Sequence, residues 1–241
     1  MIRFYSPYLK DEFALPEEES GHAIRVLRKK CGDEIEVVDG KGNLYRCVIV
    51  GENSKRTKVE ILEEMSLPKV WTPSITLAVA PTKNMDRMEW LVEKSVEIGV
   101  DRIVPILCDR SERKVIKTER LQKIAISAMK QSLKGVMPEI DELVPLRLFL
   151  EEHHEGAKFF GYCDDAIGRI PFVDAYNPGS NAVIVIGPEG DFSPKEVRFA
   201  MEKDFKPVTF GKNRLRTETA ALYGLQSVHI LNDYSERITE H

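Results

Sequence analysis

The sequence predicts an α/β protein in two parts: a small β-rich domain over residues 1–70, then a mostly parallel sheet with helices on its faces over residues 71–241. Three observations lead there. Short strand-like runs around a glycine-rich turn dominate the first part. From Ser74 onward, strand-length and helix-length patterns alternate, the order that builds a parallel sheet. Finally, Ala182-Val183-Ile184-Val185-Ile186 is a continuous apolar run, the pattern of a strand covered on both faces.

In the first part, a short strand is expected at Ile2 to Tyr5. The acidic stretch Glu17-Glu18-Glu19 follows, and Ser20 or Gly21 precedes a short helix through His22 to Leu27. Strands at Glu34 to Val38 and Leu44 to Val50 flank the turn-rich Asp39-Gly40-Lys41-Gly42-Asn43, a hairpin signal, and Thr57 to Leu62 adds another strand. Such strands suit a small β-barrel. Asp39-Gly40-Lys41-Gly42 does not read as a nucleotide-binding glycine loop, because a strand follows it where a helix is required. Arg25, Arg28, Lys29 and Lys30 form the most basic local run in the chain. That run is either a solvated helix face or a patch that contacts phosphates, and small β-barrels do bind RNA. Ser66 to Pro73, with two prolines, reads as a linker.

In the second part, Ile75 to Ala80 is a strand, and Asn84 or Asp86 caps a helix with Met88, Leu91, Val92, Ser95 and Ile98 on one face. Gly99 stops it. Asp101 to Leu107 is the next strand, where Pro105 suggests a sheet edge or strand end, and a polar loop with Asp109, Arg110 and Ser111 follows. Thr118 to Leu133 reads as a long helix closed by Gly135, Arg147 to His153 as a short helix, Lys158 to Tyr162 as a strand, and Asp164 to Ser180 as a long irregular connection. The apolar strand at Ala182 breaks at Gly187-Pro188-Glu189-Gly190-Asp191. Ser193 then caps a helix to about Lys203, with Pro194 at its first position and Glu196 completing a capping box. Pro207 to Phe210 is a second strand, broken at Gly211. After Lys212 to Arg216, the run Thr217-Glu218-Thr219-Ala220 opens a helix with Leu222, Leu225 and Val228 apolar. Both loops lie at carboxyl ends of strands, where open α/β sheets bind ligands.

Composition narrows the classes. With 241 residues, 42% hydrophobic and 31% charged, the chain is long enough to bury a real core and does not read as disordered or fibrous. No run approaches the ~20 apolar residues of a membrane span. The N-terminus lacks the apolar segment of a signal peptide, so the expectation is a cytoplasmic protein without a membrane partner. Cys31, Cys47, Cys108 and Cys163 have no paired spacing, which predicts reduced, packed thiols and no zinc site. His22, His153, His154, His229 and His241 offer no metal spacing either and read as surface residues. A net charge of −4 disfavours non-specific nucleic-acid binding by the whole chain but leaves room for a local basic patch. Neither dinucleotide-binding, nucleoside-triphosphate nor nucleophile-elbow motifs are present.

The two late loops carry the chemistry. Gly187 and Gly190 let backbone approach a ligand closely, Pro188 fixes the turn, and Glu189 and Asp191 place carboxylates beside it. A ligand with an adenosine part and a positive sulfonium suits such a site. The plainer alternative is a strand-to-helix turn with an ordinary cap. Arg214 and Arg216 sit just before a helix start, where free backbone N–H groups already favour anions. Arginines there grip phosphate or stabilise negative charge on a base.

Gly187-Pro188-Glu189-Gly190 followed by Leu215-Arg216-Thr217-Glu218-Thr219-Ala220 resembles the RsmE family of ribosomal RNA uracil-N3 methyltransferases, of the SPOUT superfamily. The resemblance extends over nearly the whole chain. His22, Arg25-Val26-Leu27-Arg28, Gly32-Asp33, Asp39-Gly40 and Tyr45 are similar to its N-terminal PUA-like RNA-binding domain. Lys83, Asp86-Arg87-Met88-Glu89, Glu97-Ile98-Gly99-Val100, Arg110-Ser111 and Gln131-Ser132 are similar to its helices and loops. The resemblance implies a trefoil-knotted C-terminal domain that binds S-adenosylmethionine, a homodimer with the active site at the subunit interface, and methylation of uracil N3 in small-subunit (16S) ribosomal RNA, within an assembled or assembling 30S subunit. Two positions depart from the family pattern: Asp191 stands where a second glycine is usual, and Lys134 where an arginine is usual, which replaces a bidentate contact by a point charge.

On that resemblance, Ile186, Gly187, Pro188, Glu189, Gly190, Phe210, Gly211, Leu215, Thr217, Thr219 and Ala220 are expected to hold the cofactor. Arg216 and Arg110 are expected to position the uridine and stabilise charge on its carbonyl oxygens. Glu189 is one candidate for the proton acceptor and a water another. Arg25, Arg28, Lys29, Lys30, Lys83 and Lys134 are the RNA-binding candidates. Competing readings are a SPOUT enzyme acting on transfer RNA or large-subunit ribosomal RNA, and a non-catalytic RNA-binding protein.

Overall fold

The computed structural model describes residues 2–164 and 167–239. The chain divides into two compact units: residues 1–70 with 125–137, and residues 71–124 with 138–241.

The first unit contains β1 (Arg3–Tyr5), α1 (Leu9–Glu12), α2 (Glu17–Gly21), a π-helical turn (His22–Val26), β2 (Glu34–Val38), β3 (Asn43–Gly51) and β4 (Lys58–Ser66). Its sheet runs β1-β2-β3-β4, with β1 parallel to β2 and the other pairs antiparallel. Residues 13–15 pair along the far side of β4, through Leu15 N–H to Thr57 O at 2.9 Å and Val59 N–H to Phe13 O at 2.9 Å. The hairpin turn is held by the Asp39 carboxylate, which accepts bonds from the backbone N–H groups of Lys41 and Asn43 and from the Asn43 side chain. Burial pushes the Asp39 carboxyl up, but these bonds outweigh it and hold the group below its ordinary value. Phe4, Leu9, Ala23, Val37, Tyr45 and Ile49 form the core.

One expectation here is corrected. The helix begins at Glu17 and not after Ser20: Pro16 sits at its cap, and the three glutamates occupy the first turn, where the helix dipole favours acids. The π-helical turn then carries it on through His22.

The second unit contains β5 (Ile75–Val79), α3 (Met85–Ile98), β6 (Arg102–Leu107), β7 (Glu139–Ile140), β8 (Val144–Pro145), α5 (Leu146–Glu151), β9 (Ala157–Gly161), β10 (Ile170–Pro171), α6 (Phe172–Ala175), β11 (Ala182–Ile186), α7 (Pro194–Glu202), β12 (Lys206–Thr209) and α8 (Thr217–Thr239). Helix α4 (Thr118–Gln131) belongs to this unit up to Ile124 and to the first unit from Ala125. The strands run β10-β12-β9-β11-β5-β6-β7, all paired in parallel, and β8 also pairs with β6. Alternation along β11 explains its unbroken apolar run. Val183 and Val185 pack with Phe149 and Leu150 of α5 and Val197 and Ala200 of α7, whereas Ile184 points at Gly224 of α8 on the opposite face.

Several local expectations give way to longer-range order. Pro105 lies inside the sheet: Arg102 and Ile103 pair with β7, Ile106 and Leu107 with β8, so the missing N–H falls where one short partner ends and the next begins. Helix α4 ends at Gln131, short of the expected Leu133, and the left-handed residue that follows it is Leu133 (φ 58°) rather than Gly135. The connection after Asp164 carries β10 and α6, although residues 165 and 166 lie outside the described residues. All four cysteines are free, but Cys31 and Cys163 are exposed where packing was expected. His154 and His229 are half-buried against the carbonyls of Phe149 and Gly99, both at 2.7 Å, and His22 is half-buried as well, while His241 lies outside the described residues. Among the described residues, no helix is long and apolar enough to cross a membrane.

Candidate active site

The loop after β11 is a tight, heavily bonded turn. Asp191 N–H bonds the Pro188 carbonyl at 2.9 Å, and Asp191 takes φ 60°, a left-handed value that glycine tolerates best. Its carboxylate accepts from Phe192 N–H at 2.9 Å and from Cys163 N–H at 3.1 Å, tying this turn to the chain beyond β9. Glu189 accepts from Lys83 N–H at 2.9 Å, which ties it to the segment beyond β5. Behind the turn, Ser193 and Glu196 form the expected capping box on α7. Both residues also reach Asp109: Ser193 Oγ donates to its carboxylate at 2.6 Å, and Glu196 accepts from its N–H at 2.7 Å.

The loop after β12 starts at Gly211, whose φ of 112° and open surroundings leave room for a ligand against bare backbone. It ends where Thr217 opens α8. There Thr217 Oγ donates to the Gly187 carbonyl at 3.1 Å, so the two glycine-started loops, far apart in number, meet directly. The Phe210 ring wedges between Gly161 and Gly224, at whose positions a Cβ would approach it to 2.8 and 3.0 Å.

These loops and the chain after β9 enclose a cavity of about 1240 Å³ at the carboxyl ends of β9, β11 and β12. Among the expected cofactor residues, Ile186, Gly187, Pro188, Glu189, Phe210, Gly211, Leu215, Thr217 and Ala220 line it, and so does Arg216. The cofactor candidates Gly190 and Thr219 and the catalytic candidate Arg110 lie elsewhere. Gly190 packs against Arg110, Arg110 donates to the carbonyls of Gly190 (3.0 Å) and Phe192 (3.3 Å), and Thr219 lines a separate apolar groove with Ile98, Val173, Tyr223 and Ile230. The wall after β9 and Arg87 are additions to the expected set, while Glu218 lies within the run Leu215 to Ala220 expected at the cofactor. The signal for that wall was present, since Tyr162 to Asp164 also follow the carboxyl end of a parallel strand.

Burial, then the nearby negative charge of Asp191, pushes the Cys163 thiol up, and burial with Asp164 and Asp191 does the same to the Tyr162 hydroxyl. The charged equipment of the lining is carboxylates (Asp164, Glu189, Asp191, Glu218) and cations (Arg87, Arg169, Lys212, Arg214, Arg216). Ile186, Val208, Phe210 and Leu215 add apolar surface beside the unstructured backbone of residues 211–216. This donor set fits a ligand that joins a flat purine to a cationic, polar tail. Among the described residues, no group of His, Cys, Asp and Glu is arranged to hold a metal ion.

Of the RNA-binding candidates, Arg25, Arg28, Lys29, Lys30 and Lys134 belong to the first unit and Lys83 to the second. Arg25 and Arg28 are exposed beside the π-helical turn, Arg28 with a left-handed φ of 53°, and Arg25 bonds Ser54 Oγ at 3.1 Å. Lys83 is exposed and paired with Glu112 at 2.8 Å.

Residues 70–229 match an RNA methyltransferase domain, and residues 15–62 match an RNA methyltransferase PUA domain. The ribosomal RNA small subunit methyltransferase E of Aquifex aeolicus (strain VF5) is 31% identical over 223 residues, 91% of this chain and 95% of that protein. A probable rRNA-methyltransferase from Porphyromonas gingivalis superposes with a TM-score of 0.91 at 43% identity, covering 98% of this chain and 100% of that one. The ribosomal RNA small subunit methyltransferase E from Neisseria gonorrhoeae, solved bound to S-adenosyl methionine, gives 0.85 at 31% identity over 96% and 98% of the two chains. With its two loops meeting at one cavity and this likeness spanning nearly its full length, the chain belongs to the ribosomal RNA small subunit methyltransferase E family of RNA methyltransferases.

Proposed function

We propose that this protein transfers a methyl group from S-adenosylmethionine to N3 of uracil in small-subunit ribosomal RNA, acting in the cytoplasm as a homodimer on an assembled or assembling subunit. The observation that carries this reading is the Thr217 to Gly187 bond, which makes the two glycine-started loops walls of one cavity. Residues 1–70 serve as the RNA-binding domain, a small barrel, a reading supported by the pairing of residues 13–15 along the outer edge of β4. Residues 71–241 serve as the catalytic domain, with the knotted topology that the resemblance implies.

Ile186, Gly187, Pro188, Phe210, Gly211, Leu215, Thr217 and Ala220 hold the donor, with Glu189, Gly190 and Thr219 bracing the loops that do so. The bound donor supplies an electrophilic methyl group. Arg216, exposed at the cavity wall, draws the uracil in by a carbonyl oxygen and stabilises the negative charge that grows there. Arg110 acts from behind, fixing the Gly190 and Phe192 carbonyls so that the turn keeps its shape. Arg25, Arg28, Lys29, Lys30, Lys83 and Lys134 contact phosphates and set the register of the RNA.

Calorimetry and nucleoside mass spectrometry test this. Native protein is expected to bind S-adenosylmethionine and to form N3-methyluridine. Arg216→Ala is expected to abolish methylation while binding the donor within about tenfold of native. Methylation that survives in that variant rules out the role given to Arg216, and absence of donor binding by the native protein rules out the reaction.

A further inference from the structure

Uracil N3 carries a proton, and its lone pair is delocalised into the two flanking carbonyls, so the nitrogen attacks only as the proton leaves. Some group must take that proton, and most carboxylates at the cavity are already committed. Asp191 spends its oxygens on the N–H groups of Phe192 and Cys163, Glu189 accepts from Lys83, and Asp164 is exposed. Glu218 differs. It is 6% exposed yet lines the cavity, and its closest cation, Arg87 Nε, stands 3.8 Å from Oε1, an ion-pair distance beyond a hydrogen bond. It sits in the first turn of α8, two residues after Arg216, and both residues line the cavity. In uracil, N3 is the atom next to each carbonyl carbon, and a base reaching N3 must stand close to the cation holding the carbonyl oxygen.

We infer that Glu218 is the proton acceptor, a conclusion that rests on the reaction proposed above. The N3–H bond breaks as its proton passes to the Glu218 carboxylate, and the electron pair left on N3 forms the new N–CH3 bond. The pair of the breaking C–S bond stays with sulfur, and the proton leaves Glu218 for water after product release. Arg87 faces the carboxylate at ion-pair distance and orients it without occupying its lone pairs.

The test compares native protein with Glu218→Gln in single-turnover methylation of small-subunit RNA across a range of pH, with uracil and with 5-fluorouracil, whose N3 proton is more acidic. The Gln variant is expected to bind S-adenosylmethionine and S-adenosylhomocysteine within about threefold of native and to methylate about 100-fold more slowly at neutral pH. Its deficit should shrink as pH rises and with the fluorinated base, because both remove the proton without help. A deficit that is the same at every pH and for both bases overturns the role, as does a rate close to native. Selective loss of affinity for S-adenosylmethionine over its demethylated product also overturns it, placing Glu218 at the sulfonium instead. If Glu218→Gln melts early, Glu218→Asp decides: a base one methylene short keeps the native pH dependence at a lower rate, whereas a structural residue gives a loss without pH dependence. Native protein that leaves uracil N3 unmethylated sinks the reaction itself, and the native control tells that failure from the failure of Glu218.

Discussion

Asp191 shows how one residue can take over a glycine's place. The position demands a left-handed backbone, φ 60°, which costs a residue with a Cβ ~1 kcal/mol or more. Asp191 offsets that strain with bonds to Phe192 and Cys163 that glycine cannot make. Asp191→Gly relieves the strain and loses the bonds, so its stability in urea denaturation is expected within about 1 kcal/mol of native. Asp191→Ala keeps the strain and loses the bonds, and is expected to fall about 2 kcal/mol below native. Equal stability of the two variants would show that backbone strain does not govern this position. From sequence alone the departure at Asp191 was legible, but the compensation was not, because its partner Cys163 lies 28 positions away in the loop after β9. For Glu218 the sequence marks a place in the cofactor-binding run Leu215 to Ala220 but no role of its own, because only the fold brings Arg87 to it.

Among the elements, the most legible were those written in local chemistry. Helix α7 begins with Ser193, Pro194 and Glu196 as the capping rules require, and α3 begins at Asn84, whose side chain accepts from Asp86 N–H at 2.9 Å. Pro105 was read as a sheet edge because a missing donor is harmless there, and nothing local reveals that β7 and β8 share one side of β6 with a gap between them. β10 and α6 escaped for want of length: two residues of strand and four of helix carry no measurable period. The α7 cap also does more than its motif implies, since Ser193 and Glu196 both bind Asp109. Ser193→Ala therefore removes a cap and a link to the chain after β6. Its expected cost is about 2 kcal/mol, the upper end for a cap, seen as a lowered thermal midpoint. A loss of only a few tenths would mean that the Asp109 contact adds nothing to the cap.

At the scale of the whole molecule, α8 has two apolar faces and only one is covered. Ala221, Leu225 and Val228 are buried against the sheet, the face that the sequence pattern revealed. Tyr223, Ile230, Tyr234 and Ile238 recur at spacings of seven, four and four and are 46%, 56%, 64% and 58% exposed. Those spacings return to one side of a helix of 3.6 residues per turn, so the four form a stripe. At its N-terminal end the stripe joins the apolar groove that Thr219 lines. A stripe of this kind left in water disfavours a lone chain, and a twofold partner presenting the same stripe would cover it. Thr219 lies one residue from Glu218 and one from Ala220, so the covered stripe and the catalytic cavity share the first turn of α8. Ile230→Glu places a charge in the stripe three turns away from the cavity, where it touches none of the residues assigned to donor or base. Sedimentation is expected to find native protein as a dimer and Ile230→Glu as a monomer at the same concentration, with the circular dichroism spectrum unchanged. Methylation should fall with dimerisation, because an unpaired stripe leaves that first turn, and with it Arg216 and Glu218, without its support. A monomeric variant with native activity would separate the two faces and show that each chain works alone.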